Sequence, residues 1–155
     1  MKVLFAIRDD NNIVDTIVRK YQRDYGKKIV YKEVNNFTAI LRELQQNNNY
    51  DRIVISDDID EKINKSENKS KLILAKLKSI RSVALKNNKQ IPIIFLSNNK
   101  KMNKYLYELN IYNGINGADI TKKRIYELTI KPRNKSQAGD YYNIKDEVIN
   151  KKKKI

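Results

Sequence analysis

Arg52-Ile53-Val54-Ile55-Ser56-Asp57-Asp58 is the stretch of the sequence that decides the fold. Its β-branched apolar run ends abruptly in two carboxylates, which is typical of a buried strand in a parallel sheet. A second apolar run, residues 3–7, is also followed by an acidic pair, Asp9 and Asp10. Because the carboxyl ends of parallel strands meet at one edge of a sheet, where such folds place their functional crevice, we expect these acids to converge at the mouth of a site.

Apolar residues spaced three and four apart predict a helix after each predicted strand. The predicted strands cover residues 3–7, 28–34, 52–56, 91–97 and 111–115, and the predicted helices cover residues 13–25, 36–46, 72–85, 100–109 and 121–130. Residues 58–71 are polar and are expected to form a loop. Five successive strand-helix units require a parallel sheet with helices on both faces. We therefore predict a three-layer α/β/α domain, flavodoxin-like, whose five-stranded parallel sheet has the order 2-1-3-4-5.

The composition excludes several kinds of site. The chain has no Cys and no His, which removes disulfides, thiolate metal sites, the commonest general base and the commonest metal ligand. Glycine occurs only at positions 26, 114, 117 and 139, so the sequence contains no glycine-rich phosphate-binding loop. No apolar run approaches the roughly 20 residues that a membrane-spanning helix needs. We expect a cytoplasmic protein without a membrane span.

The formal net charge of +15 comes from the second part of the chain. Residues 1–60 contain 10 Lys and Arg against 10 Asp and Glu, so the remaining 23 basic and 8 acidic residues of positions 61–155 account for all of it. A basic surface attracts nucleic acid, anionic lipid or an acidic protein. The chain is also rich in Lys, Asn and Ile together, which is typical of an AT-rich genome, so the charge has a compositional explanation as well.

The sequence after the last predicted helix is polar and basic. We predict a domain over residues 1–132 and a basic, partly disordered tail over residues 133–155, dispensable for folding but contributing to partner binding. The tail ends in four consecutive lysines, Lys151, Lys152, Lys153 and Lys154. Such a run binds phosphates of nucleic acid or lipid in some proteins and is a solvated terminus in others.

The order and spacing of these motifs resemble the receiver domain of response regulators, over about residues 1–132. Asp9 and Asp10 are similar to its acidic pair, Asp57 stands in the place of its phosphoacceptor, and Ser97 follows the fourth predicted strand where the family carries a switch Ser or Thr. The resemblance implies a Mg²⁺ ion held by Asp9, Asp10 and Asp57, as the one expected cofactor, and a hydroxyl that hydrogen-bonds the phosphoryl group.

The resemblance fails at the lysine that the family carries at the end of its fifth strand. The fifth predicted strand runs into Asn116-Gly117-Ala118-Asp119 with no lysine. Lys122 and Lys123 lie a turn into the next predicted helix, and Lys131-Pro132 comes about fifteen residues late. Lys131 could take the family position only if residues 124–130 were a strand. The chain is therefore more similar to the degenerate pseudo-receiver modules of pilus-assembly and septum-positioning ATPases.

Such modules use the face formed by their fourth helix, fifth strand and fifth helix for protein contacts. Here Tyr105, Tyr107 and Tyr112 could give that face an aromatic contact surface, or could pack in the core. We expect a regulatory module that catalyses no reaction and acts through a protein partner, including a homodimer through this face. Two alternatives stay open. One is a genuine phosphoacceptor receiver that uses Asp57 and Mg²⁺, and the other is a nucleic-acid-binding accessory protein that uses its basic second half.

Overall fold

The computed structural model describes residues 1–144, in which strands and helices alternate. The strands are β1 (Lys2–Ala6), β2 (Val30–Glu33), β3 (Arg52–Ser56), β4 (Leu85–Lys86), β5 (Lys89–Gln90), β6 (Ile93–Leu96) and β7 (Asn113–Ile115). The helices are α1 (Ile13–Tyr25), α2 (Phe37–Gln46), α3 (Glu61–Asn64), α4 (Lys69–Val83), α5 (Asn103–Glu108), α6 (Lys122–Ile130) and α7 (Lys135–Tyr142).

The main sheet contains five parallel strands in the order β2-β1-β3-β6-β7. Its register places Ala6 level with Ile55, Ile55 level with Phe95, and Leu96 level with Ile115. The three central strands are almost wholly apolar and buried, as expected of strands covered on both faces. This confirms a parallel sheet with helices on both sides and is compatible with a flavodoxin-like α/β fold.

Residues 1–144 contain two strands more than the five predicted. The extra pair, β4 and β5, forms a separate antiparallel hairpin between α4 and β6. When this pair is left out of the count, the sheet strands follow the predicted order. The hairpin turns on Asn87 and Asn88, which both adopt positive φ, +53° and +63°. Two left-handed residues make the tight turn whose twist suits a hairpin, and the Asn-Asn pair was the sequence signal for it.

Two apolar layers enclose the sheet. One is formed by side chains of α2, α4, α5 and α7, with Phe37, Leu77 and Leu106 among its fully buried members. The other is formed by α1 and α6, through residues such as Ile17 and Ile125. The place of each strand in the sheet therefore determines where its carboxyl end and the residues that follow it lie.

Local sequence signals mark the ends of several helices. Gly26 ends α1 in the left-handed region and donates its N–H to the Gln22 carbonyl. Asn36 caps α2 by accepting from the Ala39 N–H at 2.7 Å, and Thr121 caps α6 by accepting from Arg124 at 3.1 Å. Each cap satisfies a backbone N–H that the helix itself leaves unpaired.

Two predicted boundaries around α4 were wrong. The predicted loop over residues 58–71 contains α3 and the first turn of α4, because Asp60 caps α3 by accepting from the Ile63 N–H. The third predicted helix, which corresponds to α4, ends at Val83 and not at residue 85, because Leu85 already belongs to the β4–β5 hairpin.

The predicted domain boundary at residue 132 also needs correction, because residues 133–144 are part of the fold. Helix α7 begins with a reciprocal cap between Asn134 and Gln137 and packs against α5. Tyr142 is 6% exposed, and its hydroxyl donates to the Ile111 carbonyl and accepts from the Gly114 N–H, both at 2.7 Å. These hydrogen bonds to the backbone in and before β7 offset part of the entropy cost of ordering a segment that has few apolar residues. The predicted lysine run lies outside the described residues.

The segment that leads into α7 also covers the free edge of β7. The Arg133 guanidinium donates to the Tyr112 and Gly114 carbonyls, at 3.1 and 2.7 Å. The Tyr141 hydroxyl accepts from the Asn116 N–H at 3.2 Å. Side chains thereby occupy backbone groups that an edge strand otherwise offers to another chain.

We predict that Tyr142→Phe destabilises the fold more than Tyr141→Phe. Removing the Tyr142 hydroxyl leaves the buried Gly114 N–H and Ile111 carbonyl without a partner, a loss of about 2 kcal/mol. For a chain of this size the melting temperature should fall by about 4–8 °C. Tyr141 makes its bonds nearer to solvent, including one to Asp119 at 2.8 Å, so its loss should stay below about 1 kcal/mol. Equal losses in the two variants, measured by thermal unfolding, would contradict this account of α7.

Candidate functional site

Asp57 follows β3 at the carboxyl edge of the sheet and is held there by Ser97. The Ser97 hydroxyl donates to Asp57 Oδ2 at 2.7 Å and accepts from the Asn99 N–H at 3.1 Å. Ser97 follows β6, the strand beside β3, and is 1% exposed. The structure thus brings together the two residues that the sequence placed as phosphoacceptor and switch.

Burial raises the pKa of the half-buried Asp57 carboxyl, and the charge of Asp58 acts in the same direction. The hydrogen bond from Ser97 and the ammonium of Lys69 oppose this shift without cancelling it. The neighbouring Asp58 accepts a hydrogen bond from Ser56, and its carbonyl accepts one from Asn64 at 2.7 Å. The strand end therefore holds one carboxylate in a partly dry environment where its charge is costly.

Sequence reasoning missed Lys69, the cation that acts on Asp57. It lies in the first turn of α4, in a stretch that was predicted to be a loop. Lys69, Asp57 and Asp58 line one cavity of about 430 Å³, together with Ser70 and Asn99. No spacing rule signals this lysine, because its approach to Asp57 depends on how α4 packs on the sheet.

Asp9 and Asp10 have different positions, although both follow β1. Asp9 accepts hydrogen bonds from the backbone N–H groups of Ile13 and Val14, so it caps α1 from three residues before Asn12, the residue at the N-cap position, whose own side chain makes no cap hydrogen bond. The helix dipole stabilises a carboxylate at the N-terminus of a helix without any bound metal ion. Asp10 instead lines a cavity of about 280 Å³ with Asp57, Asp58 and Ser97, and Arg8 lies on the same cavity.

The predicted magnesium ligands do not form a ligand group. Within residues 1–144, no three acidic, His or Cys side chains are placed to hold a metal ion. The physical reason is the use of Asp9 as a helix cap together with the two residues, Ile7 and Arg8, that separate β1 from the acidic pair. Arg8 also adds positive charge where a cation would have to bind. The residues present therefore do not fit a resident Mg²⁺ ion.

Asn116 takes the position at the end of β7 where the receiver family carries its lysine. Its side-chain N–H donates to the Ser97 carbonyl at 3.0 Å, and its side-chain oxygen accepts from Asn103 at 2.8 Å. Lys122 and Lys123 are exposed on α6. Residues 124–130 are helical, so the alternative that makes Lys131 the family lysine is wrong.

These bonds connect the acidic site to two helices. Asp57 accepts from Ser97, the Ser97 carbonyl accepts from Asn116, and Asn116 accepts from Asn103 at the start of α5. The Asn116 N–H also donates to the Tyr141 hydroxyl of α7. Asn103 and Asn116 are both buried, where a hydrogen-bonded network is costly to break. A change of charge at Asp57 thus has a continuous polar route to α5 and α7.

The predicted aromatic surface is reduced to one side chain. Tyr105 is 41% exposed on α5. Tyr107 and Tyr112 pack on the core with their ring centroids 5.9 Å apart, and Tyr112 donates to Asn110 at 2.9 Å.

Comparisons with known proteins show the fold alone. No protein-family model matches the chain, and no curated protein matches it. One solved chain, described as a segment of the yeast Spc42 trimeric coiled coil fused to another structure, is 14% identical with a TM-score of 0.51. The similarity covers 96% of this chain and 94% of that chain. Among the described helices, none has the length and apolar character to cross a membrane.

We predict that Asp57→Asn stabilises the protein at neutral pH. Because the folded-state pKa of Asp57 is raised, its contribution to stability is greatest below the unfolded value of about 3.9 and is lost as the pH rises through the folded value. Asp57→Asn has no carboxyl group to ionise and so does not lose stability as the pH rises. Its melting temperature at pH 7 should exceed that of the wild type by a few degrees, and the difference should vanish in acid. Glu67→Gln, at an exposed acid, is the matched control and should change little. A variant that melts below the wild type at pH 7 would contradict the prediction.

Proposed function

We propose that this chain is a receiver-like regulatory module that acts through protein contacts and catalyses no reaction of its own. The observation that carries the proposal is which residues surround Asp57 and which of the receiver's residues are missing there. Ser97 hydrogen-bonds it, as a switch hydroxyl would, while Asn116 occupies the place of the lysine and Asp9 caps a helix.

Phosphoryl transfer to a carboxylate requires neighbouring positive charge, since the attacking carboxylate and the phosphoryl group are both anionic and repel each other. In receivers that charge is supplied by a divalent cation and the strand-end lysine. Asp57 has the ammonium of Lys69 on one side and lacks a ligand group for a metal among residues 1–144. These features support a site that has lost efficient phosphorylation.

The output surface that we propose is the exposed side of α5 with the adjoining α7. Both elements are joined to Asp57 through Ser97 and Asn116. This surface differs from the predicted face of fourth helix, fifth strand and fifth helix, because the fifth predicted helix is α6 and α7 takes its place here, with the strand edge covered by Arg133 and Tyr142. Exposed Tyr105, with Lys104 over its ring at 5.0 Å, offers an aromatic and cationic contact to a protein partner.

A phosphoacceptor function is the second candidate, and the bond between Ser97 and Asp57 with Lys69 nearby favours it. The two functions differ in whether the protein is modified by a small phosphodonor. They share the same output surface, so the discriminating measurement must be chemical.

We predict that incubation with acetyl phosphate and Mg²⁺ leaves most of the protein unmodified. Intact mass spectrometry should show at most a minor species heavier by about 80 Da, with Asp57→Asn as the site control and a readily phosphorylated receiver as the reagent control. A stoichiometric adduct that Asp57→Asn abolishes would establish the phosphoacceptor function instead.

A further inference from the structure

We propose that this chain binds a nucleoside monophosphate in a cavity at the carboxyl ends of β1, β2 and β3, beside the Asp57 site. The cavity has a volume of about 800 Å³, within the range of small-molecule sites. Its lining residues come from the connections that follow these three strands and from α2 and α3. The strand order reverses between β1 and β3. Open α/β sheets bind small molecules in the crevice outside the carboxyl ends of the strands at such a point.

Six charged side chains line this cavity, and none of them forms an ion pair within residues 1–144. They are Arg8, Arg42, Lys62, Asp10, Asp60 and Glu61. The ion pairs of the described chain lie elsewhere. Cationic and acidic side chains therefore face the same cavity without pairing with each other. A ligand that carries both an anionic group and hydrogen-bond donors can contact the two kinds together.

Arg8 and Arg42 are the residues that suit the phosphate group. Arg8 follows β1 and Arg42 lies in α2, and both are exposed where they line the cavity. A guanidinium offers several N–H donors in one plane and binds phosphate through two hydrogen bonds at once. Because neither arginine has a carboxylate partner, phosphate binding does not have to break an existing ion pair. Lys62 of α3 adds a third positive charge.

The acidic residues select what the phosphate is attached to. Ionised Asp10 and Glu61 can only accept hydrogen bonds, so they suit the hydroxyl groups of a ribose, as acidic residues do in other α/β nucleotide sites. They also disfavour a triphosphate, because the cavity has as many acidic as cationic side chains. Within residues 1–144 no group of acids is placed to hold a metal ion that could offset the extra charge. Ile7 and Ile59 supply apolar surface for a base.

Isothermal titration calorimetry of the full chain tests the proposal. Each of the four ribonucleoside monophosphates is titrated separately at low ionic strength, where exposed charges are least screened. At least one should bind at a single site per chain, with a Kd between about 10 µM and about 1 mM. The matching nucleoside lacks the phosphate, and inorganic phosphate lacks the nucleoside. Each should therefore bind at least about tenfold more weakly than the nucleotide.

Two variants, each checked for folding by circular dichroism, assign the two parts of the ligand. Arg42→Gln should weaken nucleotide binding by about tenfold, because it removes a charge-assisted contact with the phosphate. Asp10→Ala combined with Glu61→Ala should weaken nucleotide binding by a similar factor. The same double variant should bind inorganic phosphate no more weakly than the wild type, since it removes two negative charges beside the anion. Arg19→Gln changes an exposed arginine of α1 outside the cavity and is the matched control, which should bind like the wild type.

Three results would overturn the proposal. One is the absence of binding by every nucleotide up to about 1 mM. The second is equal affinity for a nucleotide and for inorganic phosphate, which would make the cavity an unspecific anion site. The third is nucleotide binding that Arg42→Gln and the double acidic variant both leave unchanged, which would place the ligand elsewhere. None of these results depends on phosphorylation of Asp57, which does not line this cavity, so the nucleotide site and the regulatory proposal can fail separately.

Discussion

The hydrogen bond from Ser97 to Asp57 offsets the cost of placing a carboxylate at the half-buried end of a parallel sheet. Burial disfavours the charged form of the Asp57 carboxyl group. Ser97 supplies a side-chain hydrogen-bond donor to one of the two carboxylate oxygens. Ser97 can serve because its own carbonyl is fixed by Asn116, and Asn116 by Asn103. The acidic site and the start of α5 are thus parts of one buried polar arrangement.

The treatment of the sheet edges determines which surfaces are available to partners. Residues 133–142 use Arg133, Tyr141 and Tyr142 to close the β7 side, and Gly114 provides the space, since a Cβ there would lie 2.6 Å from the Tyr142 hydroxyl. The β2 side keeps its backbone groups and Tyr31 exposed. Within residues 1–144, the chain's own side chains therefore close the β7 edge of the sheet, whereas the β2 edge stays uncovered.

The sequence predicted those features that depend on local chemistry. The bounds of β3 and α1 follow from apolar spacing, and the meeting of Asp57 with Ser97 is what the resemblance to receivers implied. The missed features depend on tertiary contacts. Helix α7 has few apolar residues and is held by the Tyr142 hydroxyl on a strand backbone, Lys69 approaches Asp57 through the packing of α4, and Asp9 was available equally to a metal or to the start of α1.

Coupling between Asp57 and α5 is the central claim, and NMR titration of buried amides tests it most directly. The side-chain amide resonances of Asn116 and Asn103 should shift between about pH 3 and pH 7 with one midpoint above the ordinary Asp value of about 3.9. In Asp57→Asn the shift should disappear. Resonances that do not move over this range, or that move equally in Asp57→Asn, would show that the charge of Asp57 does not reach α5.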